Sequence, residues 1–135
     1  MSLVEDLITI SKYKFKYKEP ERLKEYFEKA IKENRLLYLY KNNKTIGYLI
    51  YFLFDKQGLD EYLKKGISFD FPEHNPKNKY LYIEECVIFN GYKANLTYLR
   101  KLLRKLYPHI EYVCWYRLRK ERRKLFMIKY DGGNI

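Results

Sequence analysis

Cysteine and histidine are scarce in this sequence. Its 135 residues include two cysteines, Cys86 and Cys114, and two histidines, His74 and His109. Each cysteine lies in an apolar stretch typical of a strand, so we expect two reduced thiols rather than a disulfide framework. The sequence contains neither a CxxC nor an HxxxH spacing. This pattern does not indicate a zinc site, and we expect no bound metal.

Long apolar runs are also missing. No run approaches the roughly 20 apolar residues that a membrane-spanning helix needs, so we expect no membrane span. The N-terminal stretch MSLVEDLITISKYKF is acidic before it is basic, which is unlike a signal peptide. We therefore expect a cytoplasmic protein.

Acidic residues are outnumbered by basic ones. The chain has 28 Lys+Arg against 17 Asp+Glu, a net charge of +11, and a pI near 9.5. This balance favours an anionic partner, which is a nucleic acid, a membrane surface, a phosphorylated cofactor or an acidic protein. Hydrophobic residues make up 47% of the chain, enough for a folded core, and the length predicts a single domain over residues 1–135.

Two segments predict amphipathic helices. Residues 20–34 place apolar side chains at helical spacing, with opposite charges four residues apart. Residues 96–107 place leucines on one side and basic residues on the other. For this second helix we predict Asn95 as the N-cap and Pro108 as the stop.

Strands account for most of the remaining chain. LLYLY and TIGYLIYFLF, joined by KNNK, predict an antiparallel hairpin over residues 36–54. The other predicted elements are strands at 80–89, 110–116 and 124–130, a short helical piece at 59–66, a surface loop at 71–79 and a turn at 117–123. This order predicts an α/β (α+β) fold with a twisted, mixed, mostly antiparallel sheet and flanking helices.

Two glutamates, Glu84 and Glu85, interrupt the apolar strand predicted at residues 80–89. Strands usually carry β-branched residues at such positions, because a buried carboxylate without a partner is costly. Neighbouring residues of a strand point to opposite faces, so at most one of the two faces a given cleft. Beside an apolar cleft, a carboxylate whose pKa is raised by desolvation is suited to be a general base. The alternative is that one glutamate pairs with a lysine or arginine and the other is solvated at a sheet edge.

The strand leads through the turn NGYKAN, residues 90–95, into the second helix. Backbone N–H groups and the positive end of a helix meet at such a junction, where they can hold a phosphate or pyrophosphate. Most strand–turn–helix junctions bind nothing, and this alternative stays open. The candidate cofactor-binding residues are Phe89, Asn90, Gly91, Tyr92, Lys93, Ala94 and Asn95.

The order of elements and the stretch IEECVIFNGYKANLTYLRKLLRKLYPHIEYVCWYR resemble the GNAT superfamily of N-acetyltransferases. In that superfamily a central strand with an acidic or polar base splays from the next strand, and the following loop and helix hold the coenzyme A pyrophosphate. Within it, the stretch is most similar to the toxin-activating lysine acyltransferases, with their aromatic-rich strand, Phe-Gly turn, basic helix and closing FxGGK segment. The counterparts here are residues 82–84, 89–91, 96–108 and 130–134, and residues 47–54 resemble the strand beside the substrate cleft. The likeness covers residues 45–135.

This resemblance implies transfer of an acyl group from a coenzyme A thioester or an acyl carrier protein to an amine, including one on a protein substrate. It implies Glu84 as the base, or Glu85 if the register is shifted by one, and Lys93 as a charge partner of the phosphates. The superfamily signature Q/R-x-x-G-x-G/A is reduced to one glycine in NGYKAN, and no histidine precedes His74. A catalytically inactive relative that binds a protein partner is therefore the first alternative.

The basic stretch RLRKERRK, residues 117–124, supports a second alternative. Clustered basic residues neutralise phosphates and release counterions, so Arg117, Arg119, Arg122 and Arg123 are candidate nucleic-acid contacts. A solvated turn between two strands is the commoner explanation of such a stretch. The small size and the abundance of Lys, Asn, Ile and Tyr favour an accessory protein, which we interpret as phage-encoded. A homodimer is left open.

Overall fold

The computed structural model describes residues 3–14, 20–65, 75–89, 91–119 and 122–129. Helices come first along the chain, then strands and helices alternate, and the described part ends in a strand hairpin. The elements are α1 (Leu3–Lys14), α2 (Pro20–Lys32), β1 (Leu36–Lys41), β2 (Lys44–Phe54), α3 (Lys56–Lys65), β3 (Tyr80–Ile88), α4 (Tyr92–Leu106), β4 (Tyr112–Arg119) and β5 (Arg122–Lys129).

Helix α2 confirms the most regular helical pattern of the sequence. Leu23, Phe27 and Ala30, spaced four and three residues apart, are buried on one side. The helix ends at Lys32 and is followed by Asn34, whose φ of 56° is left-handed. The N–H groups of Asn34 and Arg35 donate back to the carbonyls of Ile31 and Ala30, at 3.1 and 2.8 Å. This is a Schellman cap with asparagine in the position usually held by glycine.

Strands β1 and β2 form the predicted antiparallel hairpin. Asn42 and Asn43 make the two-residue turn with φ values of 54° and 60°, the left-handed conformation that such tight hairpins need and that asparagine tolerates. The register shifts between Leu39 and Tyr40, which marks a β-bulge.

The five strands of the described chain lie in one sheet in the order β1-β2-β3-β4-β5. The β1–β2 and β4–β5 pairs are antiparallel, whereas β3 and β4 are parallel, with Tyr80–Ile83 opposite Tyr112–Trp115. A parallel pair needs a crossover connection, and helix α4 lies in the chain between these two strands.

The described residues fall into two compact units. The first unit contains the residues up to Ile50 together with Glu85–Leu99. Its core combines two helices with parts of β2 and β3, and its buried residues are Leu7, Ile10, Leu23, Phe27, Ala30, Tyr48, Ile50 and Val87. The second unit contains the described residues of Tyr51–Glu84 and those from Arg100 onward. Its core is aromatic, built from Phe52, Phe54, Leu59, Tyr62, Tyr82 and Cys114. A single domain over residues 1–135 stays a prediction.

Three elements differ from the sequence-based expectations. Helix α1 was not predicted, although it buries Leu7 and Ile10 in the first core. Helix α4 begins at Tyr92, so the predicted N-cap at Asn95 is wrong. The predicted turn at 117–123 is wrong as well, because β4 continues to Arg119 and β5 begins at Arg122. None of the helices in the described ranges combines the length and the apolar character that a membrane span needs.

Candidate functional site

Glu84 lies at the point where the parallel pairing of β3 and β4 ends. The last parallel pair in the described register is Ile83 opposite Trp115, and Glu84 is the next residue of β3. Its side chain is half-buried, and its Oε2 oxygen is buried completely. The structure therefore places a carboxylate with one buried oxygen directly after the last residue pair of the parallel strands.

Glu85 belongs to the core of the first unit. Its side chain is 8% exposed, and its Oε2 accepts a hydrogen bond of 2.8 Å from the hydroxyl of Tyr48. Tyr48 is itself fully buried. Burial raises the pKa of Tyr48 well above its ordinary value, and the charge of Glu85 raises it further. The phenol therefore stays protonated and serves as a donor to the buried carboxylate.

The strand–helix junction after β3 is shorter than the turn predicted over residues 90–95. Gly91 has a φ of 61°, and the residues from Tyr92 onward are helical. The N–H of Asn95 donates to the carbonyl of Gly91 at 2.9 Å, which is the first intrahelical bond of α4. The N–H groups from Gly91 to Ala94 precede that bond and are therefore the donors that a helix start leaves for an external acceptor.

The candidate cofactor-binding residues occupy several environments at this junction. Phe89 is 43% exposed, and its N–H donates to the carbonyl of Ile46 at 2.9 Å, so its backbone is tied to β2. Gly91, Lys93 and Ala94 are exposed and Asn95 is half-buried. Asn90 lies outside the described residues, and of Tyr92 the backbone alone is described. A phosphate at this place would meet exposed N–H groups, the positive end of α4 and the ammonium of Lys93.

The basic stretch near the C-terminus forms paired strands. The register places Arg117 opposite Lys124, Leu118 opposite Arg123 and Arg119 opposite Arg122. The four candidate arginines therefore belong to the β4–β5 ladder and not to a solvated loop, while residues 120 and 121 lie outside the described part. Their part in nucleic-acid binding stays a prediction.

The two cysteines differ in burial, since Cys114 is a core residue as predicted and Cys86 is half-buried. Cys86 and Cys114 are both free, and Cys114 is fully buried in the aromatic core of the second unit. Burial raises the pKa of the Cys114 thiol to about 12. In the described part of the chain, no three His, Cys, Asp or Glu side chains come together as metal ligands do.

Two hydrogen-bonded pairs of polar side chains had no signal in the sequence. One is the Tyr48–Glu85 bond in the first unit. The other joins the hydroxyls of Tyr51 and Tyr107 at 2.6 Å in the second unit. Tyr48 and Glu85 are 37 residues apart in the sequence, and Tyr51 and Tyr107 are 56 residues apart. The chain contains 16 tyrosines. Nothing in the local pattern selects these ones.

Comparisons with known proteins bear on the fold. No family model matches the chain, and no curated protein matches it. Among solved structures, the chain is similar to the crystal structure of a candidate acetyltransferase from Staphylococcus aureus Mu50, with 18% identity and a TM-score of 0.51. The superposition covers 84% of this chain and 70% of that protein. At this identity the likeness concerns the fold, and it agrees with the mixed, mostly antiparallel sheet and the helices described above. The predicted GNAT-like α/β fold is therefore confirmed.

Proposed function

We propose that this protein transfers an acyl group from a thioester of coenzyme A, or of an acyl carrier protein, to an amine. The observation that carries the proposal is the position of Glu84. It directly follows the last parallel pair of β3 and β4, and its Oε2 is buried. The GNAT-like fold supports it, since the resemblance in sequence implies a base at this point of the central strand.

Glu84 acts as the general base in this proposal. An amine at neutral pH is mostly protonated, and it becomes a nucleophile when its proton moves to a carboxylate oxygen. The free amine then attacks the thioester carbonyl, the carbon–nitrogen bond forms, and the carbon–sulfur bond breaks as the thiol leaves with a proton. Desolvation of the carboxylate strengthens it as a proton acceptor. Glu85 is the less suitable base because its side chain is 8% exposed, which leaves little room for an amine to approach it.

The start of α4 would hold the phosphates of the acyl donor. Its N–H groups from Gly91 to Ala94 come before the first intrahelical bond, Gly91, Lys93 and Ala94 are exposed residues, and a helix start favours anions. Gly91 lacks a Cβ that would crowd an approaching phosphate. Lys93 adds a full positive charge, and the net charge of +11 suits either anionic donor. The acidic surface of a carrier protein is a partner of the same kind.

A thermal-shift comparison tests the proposal. The protein is heated alone and with coenzyme A, acetyl-coenzyme A or a long-chain acyl-coenzyme A at moderate salt. A ligand at about 100 times its Kd stabilises the fold by about 2.7 kcal/mol, which raises the Tm by several degrees. Lys93→Glu should abolish this rise.

Lys101→Glu is the matched control. Lys101 is an exposed lysine further along the same helix, so its reversal changes the net charge equally but leaves the helix start intact. A rise in Tm that survives Lys101→Glu and disappears in Lys93→Glu supports the phosphate site. No rise with any of the three compounds contradicts the use of coenzyme A, and an equal loss in both variants assigns the effect to overall charge.

A further inference from the structure

A groove of about 660 Å³ lies within the first unit, between α1 and the β1–β2 hairpin. One wall comes from α1, with Leu3, Asp6 and Ile10, and the other from the hairpin, with Tyr38, Tyr40 and Thr45. Its volume falls in the range of about 300–1,000 Å³ that is usual for ligand-binding clefts. Neither Glu84 nor the start of α4 contributes to it, so the groove is distinct from the residues of the proposed transferase site.

Asp6 supplies a negative charge in this groove. The carboxylate is half-buried, and its Oδ2 accepts a long hydrogen bond of 3.4 Å from the hydroxyl of Thr45. Among the described residues, no ion pair neutralises it. A carboxylate so placed favours a cationic group in the groove, although the protein as a whole carries a net charge of +11.

The hairpin wall is aromatic and open. Tyr38 is 48% exposed and Tyr40 is 60% exposed, whereas Tyr48, Tyr51 and Tyr82 on the described strands are buried. The face of an aromatic ring attracts a cation by about 0.5–1 kcal/mol at exposed sites. Leu3 and Ile10 line the opposite wall, where an alkyl chain can lie. The groove therefore combines a carboxylate, ring faces and an apolar wall.

A lysine side chain has the complementary parts. Its four methylenes pack on apolar surface while its ammonium reaches a polar partner. We propose that the groove binds a lysine side chain of a polypeptide partner, with the ammonium at Asp6 and the stem between Tyr40 and the α1 wall. Because the groove is several times larger than one lysine side chain, residues that flank the lysine fit beside it. The proposal does not depend on the transfer of acyl groups.

Lys44 places a positive charge beside the groove, which opposes the binding of a lysine. It lies at the rim of the groove and is exposed, so it repels an incoming ammonium, weakly because water and salt screen exposed charges. Removal of Lys44 should therefore tighten binding, whereas removal of Asp6 should weaken it. Opposite effects from two neighbouring charges distinguish a defined site from general attraction to the surface.

The test uses nuclear magnetic resonance of the ¹⁵N-labelled full chain. The probe is a capped pentapeptide of four glycines around a central lysine, and its control has norleucine, which keeps the stem but lacks the charge. The lysine peptide should shift the amide signals of Asp6, Tyr40 and Thr45, and the norleucine peptide should shift them several-fold less at the same concentration. Equal shifts with both peptides, or shifts spread over the whole chain, would overturn the proposal.

Variants assign the contacts. Asp6→Asn should raise the Kd of the peptide about fivefold, the upper range for an exposed ion pair. Lys44→Gln should lower the Kd about twofold. Glu5→Gln is the matched control, since Glu5 is an exposed acid on the same helix that does not line the groove. Tyr40→Phe should retain binding and Tyr40→Ala should weaken it, because the ring and not the hydroxyl is the contact. If Glu5→Gln weakens binding as much as Asp6→Asn, the site is not at this groove.

Discussion

The hydroxyl of Tyr48 donates a hydrogen bond of 2.8 Å to the carboxylate of Glu85 inside the core of the first unit. A hydrogen bond to a buried charged group contributes about 1.5–3 kcal/mol. Tyr48→Phe keeps the ring but removes the donor, and we expect it to lower the free energy of unfolding by about that amount. Urea denaturation measures the change.

Tyr38→Phe is the control for this prediction. Tyr38 lies opposite Tyr48 in the β1–β2 ladder but is 48% exposed, so removal of its hydroxyl should change stability by less than about 0.5 kcal/mol. Equal losses in both variants would show that the bond between Tyr48 and Glu85 contributes little.

The same pair predicts a dependence of stability on alkaline pH. Burial, and then the charge of Glu85, raise the pKa of Tyr48 in the folded protein, whereas the unfolded chain keeps the ordinary value of about 10. Above that pH the unfolded state releases a proton that the folded state retains, so stability falls as pH rises. The slope due to one such group is about 1.4 kcal/mol per pH unit.

Urea denaturation between pH 9 and pH 11 measures this slope. The other tyrosines contribute equally to the pH dependence of stability in wild type and in Tyr48→Phe. The difference between the two curves therefore reports the titration of Tyr48 alone. We expect the wild-type curve to be the steeper above about pH 10. Parallel curves would mean that Tyr48 titrates normally in the folded state.

Gly47 marks a close approach of β2 to β3. A Cβ on this residue would lie 2.6 Å from the backbone carbonyl oxygen of Val87 and 3.1 Å from the Cα of Ile88. Both atoms belong to the backbone and cannot move aside independently. We therefore expect Gly47→Ala to lower the free energy of unfolding by about 1–3 kcal/mol, the usual cost of overpacking.

Gly58→Ala serves as the comparison for Gly47→Ala. The Cβ at Gly58 would come within 3.0 Å of Asp55 Oδ1, which accepts a hydrogen bond of 2.6 Å from the Gly58 N–H at the start of α3. Loss of this cap costs about 1 kcal/mol, and alanine's preference for a helix over glycine, also about 1 kcal/mol, offsets it. Chemical denaturation should thus rank Gly47→Ala as the more destabilising change. The reverse order would show that β2 and β3 separate readily at Gly47.

The two cysteines should differ in reactivity. The Cys114 thiol is fully buried, and burial raises its pKa to about 12, so at pH 8 it is almost entirely protonated and inaccessible. Cys86 is half-buried. With a thiol reagent such as DTNB, Cys86→Ser should show almost no labelling until denaturant is added, while Cys114→Ser should be labelled in the native state. Rapid native labelling of Cys86→Ser would mean that the second core opens easily.

Elements with a strong local pattern were predictable from the sequence. The β1–β2 hairpin was predictable because two asparagines in a row suit a tight left-handed turn between apolar strands. Helix α1 was not, because its sequence LVEDLITISKYK includes β-branched residues and the segment was not recognised as amphipathic. Packing of Leu7 and Ile10 against the first core stabilises it, and that contact is made by residues distant in sequence.

The start of α4 lies earlier in the chain than the predicted boundary. Because Asn95 has a side chain suited to an N-cap, the predicted start falls four residues too late, whereas the left-handed Gly91 precedes the observed helix. The shift matters for the proposed chemistry, since it places Lys93 in the first helical turn, where its charge adds to that of the helix start.

The turn predicted at residues 117–123 was wrong for another reason. Its charges suggested solvent, but edge strands of sheets commonly carry charges too.

Glu84→Gln tests the proposed transferase most directly. Glutamine has the shape of glutamate but does not accept a proton, so loss of a general base should lower the rate of transfer by about 10²–10⁴-fold. The rise in Tm with acyl-coenzyme A should persist, because the proposal assigns the phosphates to the start of α4 and not to Glu84. Glu61→Gln, at an exposed position on α3, is the control and should leave the rate unchanged. The rate is followed as thiol released from acetyl-coenzyme A in the presence of poly-lysine. A wild type that binds the thioester but releases no thiol, with Glu84→Gln identical to it, would instead favour an inactive relative that uses the same fold to bind a partner.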